Sequence, residues 1–118
     1  MDTLLVGSEV PRVDGLAKVT GKAVYGDDII MNNMLYGVCR YVDIPAGRID
    51  ALDLSEAEKV PGVVRIATWN DIPGQRKLGA IVPDHPPIID KEIAYRGDVV
   101  AVVAAETYEA ACIAVDKI

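Results

Sequence analysis

The stretch Val99–Ala105, with the sequence VVAVVAA, decides the fold because it is the longest uninterrupted apolar run in the chain. A strand with no polar residue at alternate positions must be covered on both faces. We therefore expect Val99–Ala105 to be the central strand of a sheet. On this interpretation Val102→Glu unfolds the domain, because it buries an unpaired charge.

Directly after this strand, the sequence predicts a helix that packs through an alanine-rich side. Thr107 is placed to cap the helix, and Glu109 in its first turn complements the positive end of the helix dipole. At about 100° per residue, one face collects four apolar residues. These are Ala111, Ala114, Val115 and Ile118. Ile113 falls on the polar side, where an isolated domain leaves it exposed. The pattern reaches Ile118 without a stop signal, so we expect the natural chain to continue.

Upstream of the central strand, the sequence predicts four further strands and one short helix. The strands are Leu35–Tyr41, Arg48–Leu52, Val63–Thr68 and Glu92–Tyr95. Ser55 and Glu58 have the spacing of a capping box, which predicts a helix that Pro61 and Gly62 end. The proline-rich residues 75–90 predict a long loop.

The beginning of the chain predicts an arm rather than part of the core. Residues 1–28 are rich in Gly, Asp and Lys, and Pro11–Gly15 is typical of a turn. Because the few apolar residues here show no sustained period, we expect an extended arm that orders only against the domain or a partner. The domain itself is expected over residues 29–118.

Composition and charge restrict the class of protein. A chain of 118 residues suits one domain. Its net charge of −6, from 12 basic and 18 acidic residues, argues against binding a phosphate backbone. Cys39 and Cys112 belong to no C-x-x-C pair, so they provide no zinc or iron–sulfur ligand set and are expected to be free thiols. We expect a cytoplasmic protein, since no signal-peptide pattern or bilayer-length apolar run is present.

Three local patterns resemble functional sites, and each has a simpler structural interpretation. Tyr25–Asp28, YGDD, matches the metal-binding aspartate pair of viral RNA polymerases but is short enough to be an acidic turn. His85 beside Asp84 suggests an acid–base pair, although a lone histidine in a proline-rich loop is typical of a solvated surface. Trp69 is a possible stacking platform, and its place at a strand end favours a cap on the core. We predict no catalytic, cofactor-binding or metal-binding residue in this chain.

An ordered series of segments resembles one known family over nearly the whole chain. Its first part is Pro11–Gly15, Lys18–Tyr25 and Asp28-Ile29; it continues through Arg48-Ile49, Asp53, Ala57, Pro61–Val64, Thr68, Asp71–Gly74, Gly97 and Val100–Thr107. These segments resemble the α/β hammerhead domain that opens the molybdenum-binding subunit of xanthine dehydrogenases and aldehyde oxidases. The resemblance implies an α+β fold: a mixed β-sheet with two short helices and an extended N-terminal arm. Departures from the family pattern at Arg40–Val42, Ala46–Arg48 and Asp98-Val99 leave the substrate subgroup open.

The resemblance also implies a role. Members of this family hydroxylate purines, aldehydes or N-heterocycles at molybdenum held by a molybdopterin, with oxygen from water. They pass electrons through iron–sulfur clusters to FAD or another acceptor. The residues responsible belong to downstream segments, which implies an inactive scaffold here that holds no cofactor.

The expected partners follow from that role. The arm and the exposed side of the last helix would lie against the remaining molybdopterin-binding domains or against the iron–sulfur and FAD subunits. No nucleic acid or membrane partner is expected. The alternative is a stand-alone interaction module that binds a protein through its arm and an edge strand.

Overall fold

The computed structural model describes Gly7 and residues 9–118, which divide into two compact units after Asn32. The first unit contains helix α1 and a 3₁₀ turn, and the second contains five strands, a 3₁₀ turn and helix α2. In chain order the elements are α1 (Gly15–Val19), a 3₁₀ turn (Gly26–Asp28), β1 (Tyr36–Tyr41), β2 (Gly47–Arg48), β3 (Val63–Ala67), a 3₁₀ turn (Trp69–Asp71), β4 (Glu92–Ile93), β5 (Val99–Ala105) and α2 (Tyr108–Val115). The domain boundary expected after Asp28 stays a prediction.

The strand Val99–Ala105 is the central strand, as predicted. β5 lies between β1 and β3 and pairs antiparallel with both, so that Val103 is opposite Val38 on one side and Ile66 on the other. β2 and β4 form a separate antiparallel pair. The α+β class is confirmed. We expected a mixed sheet, but all strand pairs in the described part of the chain are antiparallel.

Helix α2 covers one face of β5 and forms the main core with it. Alternate residues of a strand point to one face, and here Ala101, Val103 and Ala105 have no exposed surface. The residues of α2 that meet this core are buried as well. They are Ala110, Ala111, Ala114 and Val115, with Ile118 partly buried beside them. The alanine-rich face predicted for the last helix is thus confirmed, and so is its cap, because the Thr107 hydroxyl accepts from the Ala110 amide at 3.1 Å.

The opposite face of β5 is covered at one end only. Val100 is buried in a second, smaller cluster with Ile89 and Ile93. Further along the strand, Val102 and Ala104 are half-buried. The expectation that the whole strand is covered on both faces is therefore wrong for this end.

The short helix predicted from Ser55 is absent from the structure, which has turns there instead. The Ser55 amide donates to the Asp53 carboxylate at 2.9 Å, so Asp53 occupies the capping role assigned to Ser55. The helical-type bonds that follow are limited to those from Glu58 to Leu54 and from Val60 to Ala57. With Pro61 ending the segment, too few residues remain to offset the cost of starting a helix.

Two predicted strands are shorter than expected. Of the predicted strand Arg48–Leu52 only Arg48 is in a strand, the two-residue β2 that begins at Gly47, and Glu92–Tyr95 is reduced to the two residues of β4. The carboxylate of Asp98 explains the second case, because it accepts from the amides of Ala94 at 2.8 Å and Tyr95 at 3.2 Å. The amides of Ala94 and Tyr95 are therefore not available to extend the strand pairing of β4. Beyond β2, the pairing continues only through the hydrogen bond that the Ile49 amide donates to the Lys91 carbonyl.

The arm is also more regular than predicted, because it contains α1. Asp14 precedes the helix, and its carboxylate lies 2.6 Å from the Lys18 ammonium, one turn further on. Lys18, and then Arg12, lower the pKa of Asp14. An opposite-charge pair four residues apart stabilises a short helix, and Gly21 with φ of +69° follows its end.

We expect Val103→Glu to unfold the domain, since Val103 has no exposed surface. A buried unpaired charge costs about 4 kcal/mol or more, which is comparable to the whole stability of a small domain. Val102→Glu should cost clearly less, because Val102 lies half-buried on the other face. Urea denaturation of the two variants tests this, and equal losses would contradict the assignment of faces.

We expect Asp98→Ala to lower the free energy of unfolding by about 2–3 kcal/mol, because two amides lose their acceptor. Asp98 itself is only 2% exposed. Asp98→Asn keeps an acceptor oxygen and should cost less, and Asp90→Ala, at an exposed position nearby, should cost little. Urea denaturation measures all three. Equal losses for Asp98→Ala and Asp90→Ala would show that the carboxylate does not hold this turn.

Candidate interaction surface

Each of the chemically reactive residues singled out in the sequence lies in a local structure of its own. His85 is exposed, its backbone forms a bridge with Leu78, and its ring stacks at 6.2 Å on Tyr95. The Asp28 carboxylate accepts from the Tyr25 amide at 2.9 Å, which makes it part of a turn. The Trp69 ring is half-buried, and the Arg76 guanidinium lies 5.2 Å from its centre. The positions of His85 and Asp28 agree with a solvated surface and an acidic turn, whereas the role of Trp69 as a cap on the core stays a prediction.

The described residues contain no group of three or more His, Cys, Asp or Glu side chains that could hold a metal ion. Cys39 on β1 and Cys112 on α2 are half-buried, free thiols. An iron–sulfur cluster takes four such ligands. The described part of the chain therefore does not fit a metal cluster.

None of the helices among the described residues is long and apolar enough to cross a membrane.

A groove of about 420 Å³ lies beside α2, and we call it the α2 groove. One wall is the turn segment Glu56–Pro61, and the other is the outer side of α2. The lining residues are Glu56, Lys59, Val60, Pro61, Thr107, Glu109, Ala110, Ile113 and Lys117. Ile113 is 45% exposed, as predicted from its place on the polar side of the helix.

The position of the groove depends on the close approach of the turn at Gly62 to the start of α2. The Glu106 amide donates to the Gly62 carbonyl at 2.8 Å. Gly62 has φ of +89°, which a residue with a side chain rarely adopts, and a Cβ here would lie 3.5 Å from the Cβ of Ala110. Sequence reasoning missed this wall because it treated Glu56–Val60 as part of a helix.

Charged residues surround the apolar floor of the groove. Lys59 and Glu56 form an ion pair at 2.7 Å. Glu109 and Lys117 form no salt bridge with any residue in the described ranges. Glu109 lies one helical turn before Ile113 on α2, and Lys117 lies in the turn after the helix; both line the groove with Ile113. The groove is thus lined on this side by an acid, an isoleucine and a base.

The first unit also carries apolar side chains that its own short elements do not cover. On α1, Leu16 is 75% and Val19 is 83% exposed. Val24, Ile30 and Met31 are exposed as well. Exposed apolar surface on this scale is typical of segments that bind another protein surface.

The two edge strands are less suited to binding an added strand. The register of β1 against β5 shifts between Arg40 and Tyr41, and that of β3 shifts between Val63 and Arg65. Irregularities of this kind protect an edge from further pairing.

At the end of β3, the Asp71 carboxylate accepts a hydrogen bond from the Thr68 amide at 2.8 Å and forms an ion pair with Arg65 at 2.8 Å. Together these contacts lower the pKa of Asp71 to about 2.

The fold and its surface define a small α+β domain whose groove and exposed apolar side chains suit packing against other protein. Residues 20–118 match the family described as the aldehyde oxidase and xanthine dehydrogenase a/b hammerhead domain, and the chain belongs to that family. The resemblance and the fold class inferred from the sequence are confirmed. The match covers all five strands and α2.

Relatives and solved structures agree with this assignment. The chain is 36% identical over 99% of its length to the nicotinate dehydrogenase large molybdopterin subunit of Eubacterium barkeri, and 38% identical over 91% to a subunit of a probable xanthine dehydrogenase of Bacillus subtilis. A crystal structure of the aldehyde oxidoreductase from Desulfovibrio desulfuricans aligns over 96% of the chain with a TM-score of 0.87 and 31% identity. The chain spans only 28%, 14% and 14% of these three proteins, in that order.

We expect Ile113→Glu to leave the free energy of unfolding in dilute solution within about 0.5 kcal/mol of the original, because the side chain is already hydrated. The matched control is Ile66→Glu, the same change at an isoleucine of β3 that is 9% exposed, which should unfold the domain. Thermal melts followed by circular dichroism measure both. Similar melts for the two variants would mean that Ile113 belongs to the core.

Proposed function

We propose that this chain is the structural N-terminal domain of the molybdenum-binding subunit of a xanthine dehydrogenase or aldehyde oxidase-type hydroxylase. The observation that carries the proposal is the match of almost the whole chain to one domain of much longer proteins, including the large molybdopterin subunit from Eubacterium barkeri. The complete protein would hydroxylate a purine, an aldehyde or an N-heterocycle, with oxygen from water. This chain would contribute the scaffold.

The proposal assigns the cofactors to other parts of the enzyme. Molybdenum held by molybdopterin would be bound by the remaining domains of the subunit, and iron–sulfur clusters with FAD by further domains or subunits. This division is supported by the described residues, which provide no ligand set for a metal cluster. The chain's own part is to present its surfaces: the apolar side chains of residues 9–32 and the outer side of α2.

The cytoplasm is the proposed location, in keeping with free thiols at Cys39 and Cys112. The alternative, a stand-alone interaction module, requires a surface that recruits a separate partner. Strand addition is one such mode, and the register shifts at both edges of the sheet disfavour it.

We expect the purified chain to contain no molybdenum, iron or flavin. Elemental analysis together with an absorption spectrum measures all three. The preparation should be correctly folded, which its far-ultraviolet circular dichroism confirms independently. Stoichiometric cofactor in the folded chain would contradict the assignment of the cofactors to other domains.

The scaffold role is tested in the longer protein, with Val103→Glu introduced to unfold this domain. We expect less assembled enzyme and less molybdenum per polypeptide, because an unfolded scaffold leaves the neighbouring domains without the surface on which they pack. Activity per bound molybdenum, measured with purine, aldehyde and N-heterocycle substrates, should stay unchanged in the enzyme that does assemble. A variant with full molybdenum content but lost activity would mean that this domain takes part in the chemistry.

A further inference from the structure

We infer that an α-helix from the rest of the longer protein packs on the outer face of the three-stranded sheet, opposite α2. The outer face is the side of the sheet formed by Gly37, Cys39, Ala67, Val102 and Ala104. The inference rests on the proposed function, because it needs a longer protein. It goes further by naming a surface that is separate from residues 9–32 and from α2. The carrying observation is that β5 is apolar on both faces, while α2 covers one of them.

The strand register places these five residues on one side of the sheet. Residues directly opposite each other in an antiparallel pair point to the same face. Val102 of β5 lies opposite Cys39 of β1 and Ala67 of β3. Two positions further along β5, Ala104 lies opposite Gly37. The outer face is therefore continuous across all three strands.

The two faces of β5 carry similar side chains but differ in their cover. On the inner face, Ala101, Val103 and Ala105 have no exposed surface, because α2 packs on them. On the outer face, Val102 and Ala104 are half-buried, and the second core cluster covers the other end of that face. A strand without alternating polar residues is typical of a sheet that is covered on both sides. The outer face thus has the composition of an interior surface without the cover.

The width of the outer face fits one helix. Neighbouring strands lie about 4.8 Å apart, so the axes of β1 and β3 are about 10 Å from each other across β5. An α-helix with its side chains is about 10–12 Å in diameter. One helix therefore spans the face between the two edge strands. Strand addition is the less suitable mode, because the register shifts in β1 and β3 interrupt both edges.

The side chains of the outer face define the chemistry of the helix that covers it. Gly37, Ala67 and Ala104 are small, and Val102 is the largest aliphatic residue among the five. Interior packing density leaves few voids, so the covering helix has to fill the space above these residues with large side chains of its own. Its contact side would therefore present Leu, Ile, Met or Phe at helical spacing.

Charge favours a segment of the longer protein over a second copy of this chain. Arg65, which lies opposite Ala104, is paired with Asp71 at 2.8 Å, so the margin of the face is neutral here. A second copy has a net charge of −6 and offers α2, whose outer side carries Glu109, or α1, which has five residues. The relatives offer more, since the chain spans 28% of one and 14% of another.

Cys39 provides a chemical probe of the outer face, because its thiol is free and half-buried. The purified chain and the longer protein are each treated with N-ethylmaleimide under native conditions and then digested with trypsin. The digest separates Cys39, in residues 23–40, from Cys112, in residues 97–117. We expect Cys39 to react in the purified chain and to react about tenfold more slowly, or less, in the longer protein, since a buried thiol is inert. Labelling in urea gives the reference for full reaction.

Gly37→Glu tests whether this protection comes from packing on the outer face. A Cβ at Gly37 would have no heavy atom within 4 Å, so the variant should leave the urea midpoint of the purified chain unchanged. In the longer protein it places a charge beneath the covering helix, and the labelling rate of Cys39 should return to that of the purified chain. Gly37→Ala is the matched control, because it adds a methyl group without charge and should keep Cys39 protected.

A photoreactive benzophenone side chain in place of Tyr41 identifies what covers the face. Tyr41 is 53% exposed, and its side-chain hydrogen bond with Cys39, which raises the pKa of Tyr41, places it beside the outer face. Irradiation of the longer protein should join this position to a segment outside these 118 residues whose apolar residues recur every three or four positions. A crosslink to a second copy of this chain, to residues 9–32 or to a segment without that period overturns the inference.

Two labelling results also overturn it: a Cys39 that reacts equally fast in the purified chain and in the longer protein, and a Cys39 that is already protected in the purified chain. The proposed function is tested by other measurements. Cofactor in the purified chain, or a longer protein without molybdenum, would contradict the proposed function. A reactive Cys39 in a longer protein that does contain molybdenum contradicts the covering helix alone.

Discussion

The packing of α2 on β5 is the contact on which the rest of the structure depends. Small side chains on both elements, alanine above all, allow the helix to lie close to the strand, and Val103 fills the centre with no exposed surface. β5 also pairs with both β1 and β3, so it joins the whole three-stranded sheet. A change that separates α2 from β5 would therefore remove the cover of this sheet, while the pair β2 and β4 has a small cluster of its own.

The same packing places the α2 groove. Once the inner side of α2 is fixed against the strand, its outer side is fixed too, and Ile113 must project. The turn at Gly62 then determines how far the second wall lies from the helix, through the bond between the Glu106 amide and the Gly62 carbonyl. A residue with a side chain at this position would be strained by the positive backbone angle φ, while its Cβ would make an ordinary contact with Ala110. The geometry of the groove is thus a consequence of the core.

The features that sequence analysis predicted correctly are those set by local pattern. An apolar run specified β5, and a helical period with a threonine cap specified α2 and the exposure of Ile113. The family resemblance, rather than any single motif, gave the domain type. Where a predicted helix is missing or a strand is short, a side chain competes with the regular pattern: Asp53 accepts the Ser55 amide, and Asp98 accepts the amides of Ala94 and Tyr95. Such bonds depend on how the chain folds back, which period and propensity do not encode.

Only one wall of the α2 groove could be predicted from the sequence, because the other wall depends on how the chain folds back. One wall follows from the helical period, whereas the other is brought next to α2 by packing across a large separation in sequence. The domain keeps apolar surface uncovered at this groove, at the half-buried end of β5 and along α1. Uncovered surface of this kind contributes nothing to the stability of the chain alone, but any partner that covers it stabilises the folded state by mass action. The proposed scaffold role would therefore couple the stability of this domain to assembly.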